Sequence, residues 1–152
     1  MNKLIAHGLV KVDDRYLLIK RTEIKRGKPN SLPNYWDIPG GMVESGETPK
    51  DAVIRETHEE VNLNVSVGRI LHEDSNYDKE KDTVFTRLVY QCELLENQTT
   101  ENIFLQEDEH SEYKLVNSLS EMEKEKVVDY LIDTIEQADI LSEGTKTLKK
   151  TR

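Results

Sequence analysis

The sequence predicts an α/β fold, a β-sheet flanked by two helices, and three observations carry that expectation. Runs rich in β-branched and aromatic residues occur at residues 4–21 and again at 64–94. Between them lies a stretch with local helix punctuation, where Thr48 can act as N-cap, Pro49 suits the first helical position and Asp51 stands where a capping-box acid belongs. Near the C-terminus, Val127, Val128, Leu131, Ile135 and Ala138 recur at helical spacing and mark the buried stripe of a second helix.

Taken in order, residues 4–12 and 15–21 read as two strands joined by a hairpin turn at Asp13-Asp14. Residues 22–35 contain Gly27, Pro29, Asn30 and Pro33 and read as an irregular loop delivering Trp36-Asp37-Ile38-Pro39. The first helix should begin at Pro49 and stop near Val61. Asn62 follows at the point where a left-handed residue ends a helix, and Asn tolerates that conformation better than most residues other than Gly.

Residues 64–71 and 83–94 follow as strands with a charged link at 73–82, then a polar connection at 93–109 and a short strand at 113–116. The second helix is expected over 120–141, capped by Ser118 or Ser120. A single domain therefore spans 1–141, and residues 142–152, poor in apolar side chains, form a flexible tail.

Composition narrows the function. A chain of 152 residues can bury one proper core, and a net charge of −9 excludes the basic footprint a double-stranded nucleic-acid binder needs. No apolar run reaches the length of a membrane span, and the first residues lack a long apolar core, so a cytoplasmic location is expected. The single cysteine, Cys92, rules out an internal disulfide and sits in a strand-like run as a buried thiol. None of the four histidines stands at zinc-ligand spacing.

The chemistry concentrates in the first helix. At about 100° per residue, Glu56, Glu59 and Glu60 share one arc, while Val53, Ile54, Thr57 and Val61 share a neighbouring arc that should face a core. Carboxylates crowded at i, i+3 and i+4 repel one another, an arrangement a helix gains from only when a cation compensates it. Hard oxygen donors suit Mg²⁺ or Mn²⁺, and bridging cations are what would let an acidic face hold an anionic phosphate.

The segment from Gly41 to Leu63 resembles the Nudix box, G-x5-E-x7-R-E-U-x-E-E-x-G-U, with six of its seven fixed residues present. The resemblance implies a Nudix-type α/β/α sandwich, with a mixed sheet between the box helix and a C-terminal helix. It implies that Glu56, Glu59 and Glu60 ligate divalent cations, that Glu56 or a nearby carboxylate assists the attacking water, and that the carbonyl of Gly40 supplies a further ligand. Glu47 and Arg55 would pair to brace the turn, with Gly41 allowing its tight geometry. Thr57 and Asn62 depart from the pattern. Thr57 replaces an aliphatic residue, so its hydroxyl either bonds back to a carbonyl one turn earlier or slightly weakens packing. Asn62 replaces the last glycine and leaves the acidic face intact.

Outside the box, Glu109 lies in an acidic loop from which relatives extend another carboxylate toward the metals. Arg21, Arg26 and Arg87 are candidates for contacting substrate, and Trp36 for stacking on a nucleobase. The reading is a Mg²⁺-dependent hydrolase, with Mn²⁺ as substitute, that cleaves the pyrophosphate bond of a nucleoside diphosphate linked to a moiety X. Its partner is a small nucleotide, with a homodimer common among relatives. The alternative is a noncatalytic nucleotide-binding sensor of the same fold, against which the intact carboxylates argue.

Overall fold

The computed structural model describes residues 1–150. Strands β1 (Asn2–Val12), β2 (Arg15–Arg21), β3 (Ile24–Lys25), β4 (Lys28–Pro29), β5 (Trp36–Asp37) and β6 (Gly40–Met42) precede helix α1 (Pro49–Val61). Strands β7 (Val65–Asp78), β8 (Thr83–Leu94) and β9 (His110–Val116) and helix α2 (Asp129–Lys150) follow, with short 3₁₀ turns at Thr100–Asn102 and Leu119–Met122. The sheet is mixed, because β1 lies parallel to β8 while its other pairings are antiparallel.

The hairpin turn forms at Asp13 and Asp14, whose φ values of 50° and 65° match the two-residue turns that suit twisted strands. β1 and β2 pair only at Lys11↔Tyr16 and Val12↔Arg15. The segment 36–42 fills the opening between them. Its first half pairs with β2 (Lys20↔Trp36, Ile19↔Asp37) and its second half with β1 (His7↔Gly40, Ile5↔Met42), while the Gly8 amide donates to the Pro39 carbonyl at 2.9 Å.

Strand alternation separates two cores. Ala6, Val10, Leu17, Ile19, Tyr90 and Cys92 face α1 and pack on Ala52, Val53 and Val61. Leu9, Tyr16, Leu18 and Val89 belong to the opposite core with Trp36, Leu131 and Ile135. The result is the expected three-layer α/β/α arrangement. α1 approaches closely because Gly8 has no side chain: a Cβ there would lie 2.8 Å from both Cys92 Sγ and Val53 Cγ1.

α1 has the expected ends. The Asp51 amide donates to Thr48 Oγ1 at 3.2 Å, the Thr48 amide to Asp51 Oδ2 at 3.1 Å, and Asn62 closes the helix at φ 62°. On its buried face Ile54 differs from expectation, and of the two alternatives for Thr57 one is removed. Ile54 is 41% exposed, its place beneath the helix taken by Ala52. Thr57 is fully buried, and its hydroxyl has no hydrogen-bond partner among the described residues, so the bond to the preceding turn is not made. Replacing an unsatisfied hydroxyl by a methyl of similar shape removes a desolvation cost, so Thr57→Val should raise stability by about 1 kcal/mol. Thermal unfolding would show it, and an unchanged or lower Tm would contradict it.

Elsewhere tertiary pairing overrides local pattern. The expected helix over 120–141 begins instead at Asp129, because residues 126–128 are drawn into contact with β5. The Trp36 amide donates to the Lys126 carbonyl at 2.8 Å and the Val128 amide to the Trp36 carbonyl at 3.1 Å. Ser118 precedes the 3₁₀ turn rather than α2. α2 continues to Lys150, through residues assigned to the flexible tail, while residues 151–152 of that tail lie outside the described part. The charged link at 73–82 is largely β7, extended by pairing with β8 from Glu73↔Leu88 to Asp78↔Thr83. The loop at 22–35 contains the β3–β4 hairpin, turned by Arg26 and Gly27 at φ 53° and 78°.

Candidate functional site

The loop from Gly40 to Thr48 is tied to α1 through one arginine. Arg55 grips Glu47 with two hydrogen bonds, Nη2 to Oε1 at 2.7 Å and Nε to Oε2 at 3.1 Å, and donates to the Met42 carbonyl at 3.2 Å. Glu47 also accepts the Glu44 amide at 2.9 Å, so one carboxylate closes the turn and anchors it. The guanidinium fork holds the Glu47 carboxyl below its ordinary range. Arg55 Nη1 reaches Glu56 at 3.1 Å and Glu59 at 3.3 Å.

The acidic arc of α1 opens on a cleft of about 560 Å³, lined by Glu56, Glu59, Glu60 and Glu109 together with Gly40, Gly41, Arg26 and Arg55. Burial grades the three helix carboxylates, with the Glu59 side chain 51% exposed, Glu56 16% and the whole of Glu60 only 4%. Burial is the main cause raising the Glu56 carboxyl, opposed by Arg55 and reinforced by Glu59 and Glu109. Glu60 is raised well above the usual carboxylate range, first by burial and then by Glu56. The amide of Gly40 donates to Glu60 Oε2 at 2.9 Å, yet no cationic side chain pairs with this carboxylate among the described residues. A buried anion beside other anions, answered by a single amide, suits a divalent cation and hard oxygen coordination.

Gly41 leaves room for the Glu56 carboxylate, since a Cβ there would stand 2.6 Å from Glu56 Oε1 and push that side chain from its place. Glu109 arrives from the turn just before β9, is 7% exposed, and accepts from Lys25 Nζ and Arg26 Nη2, each at 3.2 Å. The β3–β4 hairpin thus leans over the cleft.

A second cleft of about 310 Å³ shares Lys25, Gly40, Gly41, Met42, Glu60 and Glu109 with the first and continues past His7, Arg21, Asp37, Arg87 and His110. Its floor is a buried polar network. Asp37 accepts from Arg21 Nη1 at 3.0 Å, Tyr130 Oη at 2.5 Å and the Ile38 amide at 2.7 Å. The Arg87 guanidinium lies 4.0 Å above the Tyr130 ring, and burial keeps His7 below its ordinary pKa.

The structure therefore brings Gly40, Gly41, Arg26, Arg55, Glu56, Glu59, Glu60 and Glu109 around one cleft, with Glu47 behind Arg55 and with Arg21 and Arg87 in the adjoining one. Trp36 departs from expectation. It is 3% exposed and packs in the α2-side core, because its backbone bridges β2 and residues 126–128, so it offers no face for stacking. His110, set aside with the other histidines for want of zinc-ligand spacing, is 7% exposed and groups with Glu60 and Glu109 so that one potential ligand atom of each lies within 4.8 Å of the others. Burial pushes its imidazole down to about 4, so it is neutral at physiological pH. Its place directly after Glu109 was the one signal in the sequence, since the strand expected at 113–116 starts at His110 only through pairing with β2.

The family model described as NUDIX domain matches residues 3–136. The chain is 38% identical over 73 residues to an ADP-ribose pyrophosphatase of Methanocaldococcus jannaschii, covering 48% of this chain and 40% of that protein. It is 39% identical over 64 residues to an 8-oxo-dGTP diphosphatase of Escherichia coli, covering 41% of this chain and 46% of the relative. These matches thus span less than half the length of either relative. Among solved structures, a MutT protein from Methanosarcina mazei Go1 superposes with a TM-score of 0.71 at 24% identity, covering 93% of this chain and 95% of that one, a likeness of fold. No helix among the described residues is long and apolar enough to cross a membrane.

Proposed function

We propose that this chain, which belongs to the Nudix family, is a Mg²⁺-dependent hydrolase of the pyrophosphate bond in a nucleoside diphosphate linked to a further moiety, acting in the cytoplasm. The carrying observation is the convergence of Glu56, Glu59, Glu60 and Glu109 on one cleft with Gly40 at its edge and Arg55 fixing the helix to the loop. The names of the two relatives have a nucleotide pyrophosphate in common, which supports the substrate class.

Glu56, Glu59, Glu60 and Glu109, with the Gly40 carbonyl, are the residues assigned to hold Mg²⁺, for which Mn²⁺ can substitute. When bound, such an ion acidifies water and neutralises charge on phosphoryl oxygens. Glu56, whose carboxyl is raised above its ordinary range by burial, is assigned to take the proton of the attacking water. Arg55 holds Glu56 and Glu59 at fixed distances from the loop, which limits the reorganisation needed at the moment of reaction. Arg26 is assigned to meet phosphate oxygens once it leaves Glu109, and Arg21 and Arg87, which line the adjoining cleft, are assigned to the rest of the substrate.

The test is Mg²⁺-dependent release of phosphate, pyrophosphate or nucleoside monophosphate from a panel of nucleoside triphosphates, ADP-ribose, nucleotide sugars, dinucleoside polyphosphates and capped RNA. Hydrolysis of a panel member that requires metal and collapses in Glu56→Gln and Glu59→Gln is the expected result. Nucleotide binding without turnover in Mg²⁺ and in Mn²⁺ would replace the hydrolase with a sensor.

A further inference from the structure

The geometry points to His110 as a nitrogen ligand that completes, with Glu60 and Glu109, a mixed nitrogen and oxygen position for a first-row transition ion at the junction of the two clefts. The inference deepens the function proposed above and rests on its assignment of Glu60 and Glu109 as metal ligands. Two independent observations carry it beyond an acidic cluster. Glu60, Glu109 and His110 each offer a ligand atom within 4.8 Å of the others, and the three residues are 4%, 7% and 7% exposed. In addition, His110 Nδ1 is buried with no hydrogen-bond partner among the described residues. A buried, unsatisfied ring nitrogen is costly, and such groups in native proteins ordinarily have a partner.

The spacing suits one ion. Donors at about 2.0–2.2 Å from an octahedral cation stand about 3 Å apart when adjacent and up to about 4.4 Å when opposite, so small side-chain movements would close the set. The cations now on Glu109 can yield, since the Lys25 and Arg26 side chains are 42% and 73% exposed and sit on a two-stranded hairpin at the rim. Mg²⁺ gains little from an imidazole, whereas nitrogen donors favour transition ions. The site should therefore discriminate for Mn²⁺ and its heavier neighbours against Mg²⁺. The adjoining cleft, of which His110 forms a wall, lies open to that ion, so the same position would touch the substrate portion beyond the scissile bond.

The experiment loads the full chain, without substrate, with Mn²⁺ and records electron spin-echo modulation on protein labelled with ¹⁴N- or ¹⁵N-histidine. One imidazole coupling that changes with the isotope is expected, and it should vanish in His110→Gln. Mn²⁺ affinity should fall about tenfold in that variant while Mg²⁺ affinity changes less than about twofold. The isotope exchange in the unsubstituted protein needs no variant, so a folding defect in His110→Gln cannot disguise the answer. Mn²⁺ bound with no isotope-sensitive coupling would overturn the histidine ligand and leave the hydrolase reading standing. No binding of Mn²⁺ would overturn the histidine ligand, and no binding of Mg²⁺ as well would overturn both.

Discussion

Glu60→Gln should abolish turnover and at the same time make the metal-free protein more stable. The two effects share one cause. Glu60 is 4% exposed, faces Glu56 and Glu109, and is answered by one amide at 2.9 Å, so its negative charge is unfavourable until a cation arrives. A glutamine keeps the acceptor for the Gly40 amide and removes the charge. Near neutral pH the gain without metal should be about 1–3 kcal/mol, while kcat/KM falls about 10³-fold or more.

The pH dependence follows with a definite sign. A carboxylate whose folded pKa is raised contributes stability that is fully present below its unfolded value and lost as pH rises through the folded value. Without metal, the native protein should therefore lose stability as pH climbs from the ordinary carboxylate range upward, and Glu60→Gln should flatten that slope. Saturating Mg²⁺ should restore the native protein, contributing about 2.7 kcal/mol at a hundredfold excess over Kd, and should do so much less in the variant. Thermal unfolding with and without metal across pH tests all three statements. A destabilised Glu60→Gln without metal would show that the carboxylate is structural.

Removing Arg55 should produce the largest loss of both stability and activity among the residues behind the site. Its guanidinium holds Glu47 with two hydrogen bonds, contacts Glu56 and Glu59, and caps the Met42 carbonyl. Arg55→Ala leaves Glu44, Glu47, Glu56 and Glu59 without their cation. A loss of about 2 kcal/mol is expected, discounted from the value for a fully buried pair because the side chain is 24% exposed. Turnover should fall about 10- to 100-fold, as for residues that orient metal ligands. Arg55→Lys should recover little, since one ammonium cannot reproduce the fork on Glu47. Full activity in Arg55→Lys would mean that charge alone is needed.

What could be read from the sequence divides along the distance over which each feature is decided. α1 was legible to the residue because Thr48, Pro49, Asp51 and Asn62 set its ends through bonds within one turn. The acidic arc and its arginine were legible for the same reason. The start of α2 was not, because Lys126 and Val128 answer the backbone of Trp36, some ninety positions earlier in the chain. That pairing also explains Trp36, whose aromatic ring suggests stacking until its backbone is seen to knit two elements together. Ile54 was misplaced because an arc of a helix does not say how deeply its edges sink. His110 was hidden because its burial depends on the pairing of β9 with β2, where it meets Arg21.

The parallel pairing of β1 with β8 has a consequence for the order of folding. Asn2 lies beside Val84 and Lys11 beside Glu93, so the first strand of the chain cannot find this edge until more than eighty further residues exist. The β7–β8 hairpin and the β1–β2 turn close over short loops and can form early, whereas joining them carries the entropy of a long loop. During synthesis β1, with Leu9, Val10 and Val12, must therefore wait with one edge unpaired, the state in which strands associate with the wrong partner. β9, which follows Glu109, pairs with β2 over a still longer separation, up to Tyr16↔Val116, so the acidic cleft is complete only after the longest-range pairing in the sheet has formed.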